Sequence, residues 1–164
     1  IYTAADISDK VANVIESHGF NSDKFEYKSS ANYLNEPEKA KIRSDLKTLM
    51  HQHSKLGIVI IPREQRKQLG IECIKGLKQF VNSNKNLEKP LNVFFDQGMF
   101  TSIDKPLKLI KDLNLNEHSF SFEQDSKIIK GIQLADLAAH ISSIQLKDKM
   151  GLVTKMIKAG PNSA

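Results

Sequence analysis

A carboxylate stands in this sequence where helix periodicity leaves room for apolar side chains. The stretch Gly131-Ile132-Gln133-Leu134-Ala135-Asp136-Leu137-Ala138-Ala139-His140 has the spacing of a helix at 100° per residue, with Ile129, Ile132, Leu134, Leu137, Ile141 and Ile144 on a broad apolar arc. Asp136 falls inside that arc. Gln133, Asp136 and His140 form a narrow polar stripe through it. An unpaired buried carboxylate costs several kcal/mol, so a metal ion, a basic group or a water-filled cleft has to compensate it. The bland alternative is a solvated rim position, with Gln133 and His140 an ordinary polar seam.

Other side chains with chemical potential lie upstream. Leu91 to Phe95 reads as a strand that delivers Asp96 at its carboxyl end, before Gln97-Gly98. Open α/β sheets gather their chemistry there, although an acid that starts an Asx turn before Gly98 fits the same residues. In Phe25-Glu26-Tyr27-Lys28, an extended backbone puts Phe25 and Tyr27 on one side and Glu26 and Lys28 on the other. The pair would then face one cleft, or form a surface ion pair.

The elements that must position these groups follow from the hydrophobic pattern. Thr3 and Asp6 resemble a capping box ahead of a helix with Ile7, Val11, Val14 and Ile15 inward, stopped by Gly19. Asn35 and Pro37 open a second helix with Ile42, Leu46, Leu49 and Met50 inward. His51 and His53 at its end are two apart, so they point to different faces and make poor joint zinc ligands. Leu56 to Ile61 is a continuous apolar run closed by Pro62, which predicts an interior strand covered on both faces. A helix from about Arg63 to Val81 follows, then the strand ending at Asp96. Next come a helix carrying Leu107, Ile110 and Leu113, and a third strand from His118 to Phe122. A last helix is predicted between Asp148 and Lys158. Alternating strands and helices predict a three-layer α/β domain of mixed sheet flanked by helices, spanning residues 1–164 as one unit.

Composition sets the bounds. The chain has 164 residues, 40% hydrophobic and 26% charged, enough for one sizeable core. A net charge of +5 and a sequence pI near 9.2 favour a polyanionic partner such as nucleic acid. The single cysteine, Cys73, excludes an internal disulfide and reads as a buried, inert thiol in a reducing cytoplasm. No apolar run approaches a membrane span, and acids occupy the opening where a signal peptide carries Lys or Arg. The chain opens on Ile1, so a processed protein or a part of a longer one is expected.

Asp125-Ser126-Lys127 followed by Gly131-Ile132-Gln133-Leu134-Ala135-Asp136-Leu137, with the strand ending on Asp96 and the earlier Glu26-Tyr27-Lys28, resembles the domain of unknown function 3800 family. That bacterial and phage-related family has a ribonuclease H-like fold. The resemblance covers most of the chain, and its specific motif is the Gln-Leu-Ala-Asp helix. It implies a carboxylate cluster that holds Mg²⁺ or Mn²⁺ and cleaves phosphodiesters in DNA or RNA. Asp136, Asp96 and Glu26 would be its acids and Asp125 a nearby polar ligand. Lys28 and Lys127 would neutralise phosphate, and His140 would orient a ligand or relay a proton. Asp136 and Asp96 should then approach each other at one end of the sheet. The alternative is a non-catalytic nucleic-acid-binding or regulatory module, using the basic helix faces around Arg66, Lys75, Lys78, Lys105, Lys108 and Lys111. The family's opening Asp-Glu-Ser-Gly strand and the hairpin after it are not in this sequence. The chain alone is therefore expected to be catalytically silent and metal-poor, and to be completed by more of its own polypeptide or by a second copy in a homodimer.

Overall fold

A computed structural model describes residues 1–151. A short strand β1 (Tyr2–Thr3) leads into helix α1 (Ser8–Ser17), and α2 (Pro37–His53) runs into β2 (Ser54–Lys55), which pairs antiparallel with β1. A 3-10 turn (Arg63–Gln68) precedes α3 (Leu69–Ser83), followed by β3 (Asn92–Asp96), α4 (Asp104–Asp112), β4 (Ser119–Gln124) and α5 (Gly131–Lys149). The chain is thus mixed α/β with two small sheets. Of the helix expected between Asp148 and Lys158, Asp148 and Lys149 belong to the end of α5, and the residues from Leu152 on lie outside the described ones. Among the described residues, no helix is long and apolar enough to cross a membrane.

Apolar periodicity sorts the helices between two clusters. Ile7, Val11 and Ile15 beside α1 and on it, Ile42, Leu46 and Leu49 on α2, and Leu134 and Leu137 on α5 pack together around Tyr27. Ile74 of α3, Phe95 of β3, Ile110 of α4 and Leu115 form the second cluster, joined by Phe100, Phe120 and Phe122. Phe95 stands edge-on to Phe100 at 5.1 Å and stacks on Phe122 at 5.4 Å between ring centres. Gly70 makes this possible, since a Cβ there would lie 2.4 Å from the Phe100 ring.

β3 and β4 pair in parallel through the α4 crossover, the connection a parallel pair requires. Asn92 faces Ser119 and Phe94 faces Ser121, but Asp96 faces Gln124, so one extra residue is accommodated before the strand ends. Glu123, in the left-handed region at φ 52°, absorbs the irregularity. Such bulges re-aim side chains at the rims of sheets, and Asp96 is the residue after this one.

Two expectations fail. The run Leu56 to Ile61 belongs to no helix or ladder, and Leu56, Ile58 and Ile60 are 44%, 57% and 67% exposed. Gly57 lies against Phe80 and Val59 against Gly76, so α3 covers one face only. A continuous apolar run is buried on both faces only when strands flank it and a second layer lies opposite. Among the described residues neither condition is met, and the single three-strand sheet is replaced by two separate pairs. The capping box is also absent. Thr3 is taken up in β1, and Asp6 accepts the Ser8 N–H at 2.9 Å in a two-residue turn ahead of the helix.

His18, just after α1, ties that helix to α2. Its Nε2 lies 2.7 Å from an Asp45 carboxylate oxygen and its Nδ1 3.4 Å from one of Glu38. A neutral imidazole has one N–H, so both contacts are donated only by the imidazolium. The Asp45 hydrogen bond, against a smaller opposing effect of burial and helped by Glu38, raises the His18 pKa. A raised folded value means that the contribution is complete below the unfolded value of about 6.5 and is lost as pH climbs through the folded one. The stability difference between the wild type and His18→Gln, measured by urea denaturation, should be at most about 1 kcal/mol at pH 5.5 and should shrink steadily as pH is raised above the ordinary imidazole value. A difference that stays constant across that range would show that the imidazolium is not what joins the helices.

Candidate functional site

Residues 25–28 run between α2 and α5 without helix or ladder and end in a turn closed by the Ala31 N–H on the Lys28 carbonyl at 3.1 Å, and the expected alternation of buried and outward side chains holds. Tyr27 is buried at 1% exposure, while Glu26 and Lys28 turn to the other side. The segment is fixed from both neighbouring helices. From α5, the Gln133 amide oxygen accepts the Tyr27 N–H at 2.9 Å, and its nitrogen donates to the Ser126 carbonyl at 2.9 Å. Gln133 is itself 1% exposed, so both bonds are made away from solvent. From α2, Arg43 Nε donates to the Tyr27 hydroxyl at 2.6 Å and its Nη2 donates to the Ser29 carbonyl. Burial pushes the Tyr27 phenol up despite Arg43, which keeps it neutral.

These clamps bring the acids together. Ser29 donates to the Asp136 carboxylate through its hydroxyl, and through its N–H at 3.3 Å. Ser126 donates its hydroxyl to Glu26, and Lys28 Nζ donates to the same Glu26 oxygen at 2.6 Å. Glu26, Lys28, Asp96, Ser126 and Asp136 line one cleft of about 170 Å³. Glu26, Lys28 and Asp96 also line an adjoining hollow of about 340 Å³ with Gln97, Asp125 and Lys127. Asp96, at the end of β3, and Asp136, on α5, thus line the same cleft. Asp96 accepts the N–H of the adjacent Gln97 at 2.8 Å, while the Gly98 N–H, which an Asx turn would direct to Asp96, donates to Glu123 at 3.0 Å, so the Asx turn is not formed. Asp125 accepts the Lys127 N–H at 2.8 Å, which turns the chain into α5.

Mixed charge governs the electrostatics. Burial acts to raise the Glu26 pKa, but hydrogen bonds from Lys28 and Ser126 and the charges of Lys28 and Lys127 outweigh it and hold the carboxyl below its ordinary value. Lys28 is raised by its bond to Glu26, against some desolvation, with further help from Asp136 and Asp96. An ammonium at the mouth of the cleft therefore feels the carboxylates of three separate segments.

Two placements need correction. Asp136 is exposed, not buried in the apolar arc, although Ile132, Leu134 and Leu137 around it are buried. The cleft interrupts the arc at that position, so the carboxylate keeps contact with solvent. His140 lines neither hollow. One further helical turn carries it about 6 Å along the axis, away from the end of α5 where residues 25–30 and the end of β3 meet.

The donor set suits a hard cation, with carboxylate and hydroxyl oxygens. Among the described residues, however, no three His, Cys, Asp or Glu side chains come close enough together to hold one ion.

Ser29, Ser126 and Arg43 were missed by reasoning from sequence. Ser29 had a readable signal, since alternation puts it on the Tyr27 side of the segment. Arg43 had none, because a lone arginine on an amphipathic helix reads as a solvated residue. The clamp has a measurable consequence. Gln133→Leu keeps volume but leaves the Tyr27 N–H and the Ser126 carbonyl unpaired, and should cost about 1–3 kcal/mol. Urea denaturation should show that loss, and hydrogen exchange at the Tyr27 amide should quicken; an unchanged amide would mean that Gln133 does not hold the segment. The chain matches no family model, no curated protein and no solved structure.

Proposed function

We propose that this protein is a divalent-metal-dependent nuclease or phosphodiesterase of ribonuclease H-like architecture, acting on nucleic acid through Asp136, Asp96 and Glu26. The observation that carries the reading is that these acids, far apart in the sequence, line one cleft together with Lys28. The Gln-Leu-Ala-Asp helix and its resemblance to the domain of unknown function 3800 family supply the reaction class.

Each residue has a distinct part in this reading. Asp136 and Asp96 are the two carboxylates available to an ion. Glu26, bonded to Ser126 and Lys28, sets the charge balance beside them. Mg²⁺ or Mn²⁺, when bound, supplies Lewis-acid stabilisation of phosphate oxygens and lowers the pKa of a water. Ser29 orients the Asp136 carboxylate, Gln133 fixes the two segments that carry Glu26 and Ser126, and Lys127 offers a positive charge to the phosphodiester backbone at the rim. Asp125 contributes through the turn it holds.

A second reading is favoured by one observation, the lack of a three-acid group among the described residues. It is a binding module for nucleic acid that performs no cleavage. The two separate cleanly in experiment. In a complete protein, cleavage of single- and double-stranded DNA and RNA should require Mg²⁺ or Mn²⁺, and Asp136→Asn should reduce it by roughly a hundredfold or more, because losing even an outer partner of a metal ligand costs 10–100-fold. Cleavage retained by the variant would overturn the assignment of Asp136. Binding that falls steeply with salt, survives EDTA and is accompanied by no cleavage would establish the module instead.

A further inference from the structure

We propose that Leu56–Ile61 is a strand-accepting edge, and that its occupant is polypeptide on the amino side of Ile1, which continues β1 as a strand antiparallel to the run. The inference is independent of the metal-dependent reading above.

The run has the side-chain pattern of a strand without a strand's partners. Leu56, Ile58 and Ile60 are exposed, whereas Gly57 lies against Phe80 and Val59 against Gly76, both on α3. Successive residues therefore face opposite ways, with the period of two that belongs to strands. Among the described residues, the backbone from Gly57 to Ile61 makes no hydrogen bond. An edge that joins unpaired peptide groups to a row of bare aliphatic side chains is a template for another strand.

The neighbouring ladder identifies that strand. β1 and β2 are antiparallel, with Thr3 opposite Ser54 and Tyr2 opposite Lys55. One step back along β1 is one step forward along the run, so the register brings Ile1 opposite Leu56 and aims the chain ahead of it along Gly57 to Ile61. The lane beside the run is thus entered through Ile1, where a strand from a second copy would meet the end of β1. The Ile1 amine supports the same occupant. Burial lowers its pKa, against a smaller opposite effect of Cys73. A charged amine is costly in such a place, whereas a peptide N–H paired in a ladder is not. About 17 Å of further strand reaches Ile61, and Pro62, which has no N–H to give, closes the edge. Opposite residues of an antiparallel pair share a face, so the second and fourth residues ahead of Ile1, which face Ile58 and Ile60, should be apolar.

The test is disulfide trapping in the protein as its gene encodes it, with everything ahead of Ile1 retained and Cys73→Ser throughout. Ile58→Cys is combined with a cysteine at the second residue ahead of Ile1. Opposite residues bring their Cα atoms to about 4.5–5.5 Å, within reach of a disulfide. Oxidation should link them within one chain, and moving the upstream cysteine by one residue, which turns it to the other face, should lower the yield at least roughly tenfold. Hydrogen exchange in the unsubstituted protein gives a second readout that needs no variant to fold. Alternate amides between Gly57 and Ile61 should exchange on the order of a hundredfold more slowly than in an unstructured peptide. A link formed only between two chains would give the edge to a second copy and overturn the proposal. Unprotected amides throughout Gly57–Ile61, or a gene that encodes nothing ahead of Ile1, would overturn it as well.

Discussion

Gln133 is the residue on which the rest of the site depends. Its buried amide has two partners, the Tyr27 N–H and the Ser126 carbonyl, and neither segment has a helix or a sheet ladder of its own at that point. A backbone group left unpaired away from water costs as much as a lost hydrogen bond, so one side chain on α5 specifies where two irregular stretches run. Glu26 and Lys28 flank one partner and Ser126 is the other. Asp136 lies one helical turn further along the same helix, which is why the acids converge there at all.

Around this clamp, the two apolar clusters do different work. The helical cluster of α1, α2 and α5 closes over Tyr27 and holds residues 25–30 in place. The aromatic cluster of Phe95, Phe100, Phe120 and Phe122 fixes the parallel pair that presents Asp96. The cleft opens where the first cluster meets the end of β3. Packing of this kind lets polar side chains be held rigidly without being buried, the condition that a site for a charged ligand has to satisfy.

Much of this arrangement was legible in the sequence, and the failures share a cause. Periodicity located α5, the Gly19 stop located the end of α1, Pro37 marked the start of α2, and alternation separated Tyr27 from Glu26 and Lys28. These are local signals, set by neighbours within a turn or two. Leu56 to Ile61 was misread because an apolar run states that burial is wanted, not what supplies it. Its partners are a long-range matter, and α3 provides only one face. Asp136 was placed in an apolar arc because a helical wheel shows which residues share a side, but not where a cleft interrupts it. His140 was carried along by the same wheel, which ignores displacement along the axis. Alternation places Ser29 on the buried side with Tyr27, but its partner Arg43 reaches across from α2, and no spacing rule reveals that contact.

The central claim is that residues from distant parts of the chain form a single cation site beside Gln133. Its most direct test is a nitrogen-15 NMR titration with Mn²⁺, whose unpaired electrons broaden only nearby amides. The account expects early and joint broadening at residues 26–30, 96–98, 125–127 and 133–137, with the amides of α4 around Lys108 and those of His51 and His53 unaffected. Broadening centred on the histidines, spread evenly over the acidic surface, or limited to one of the four segments would contradict it.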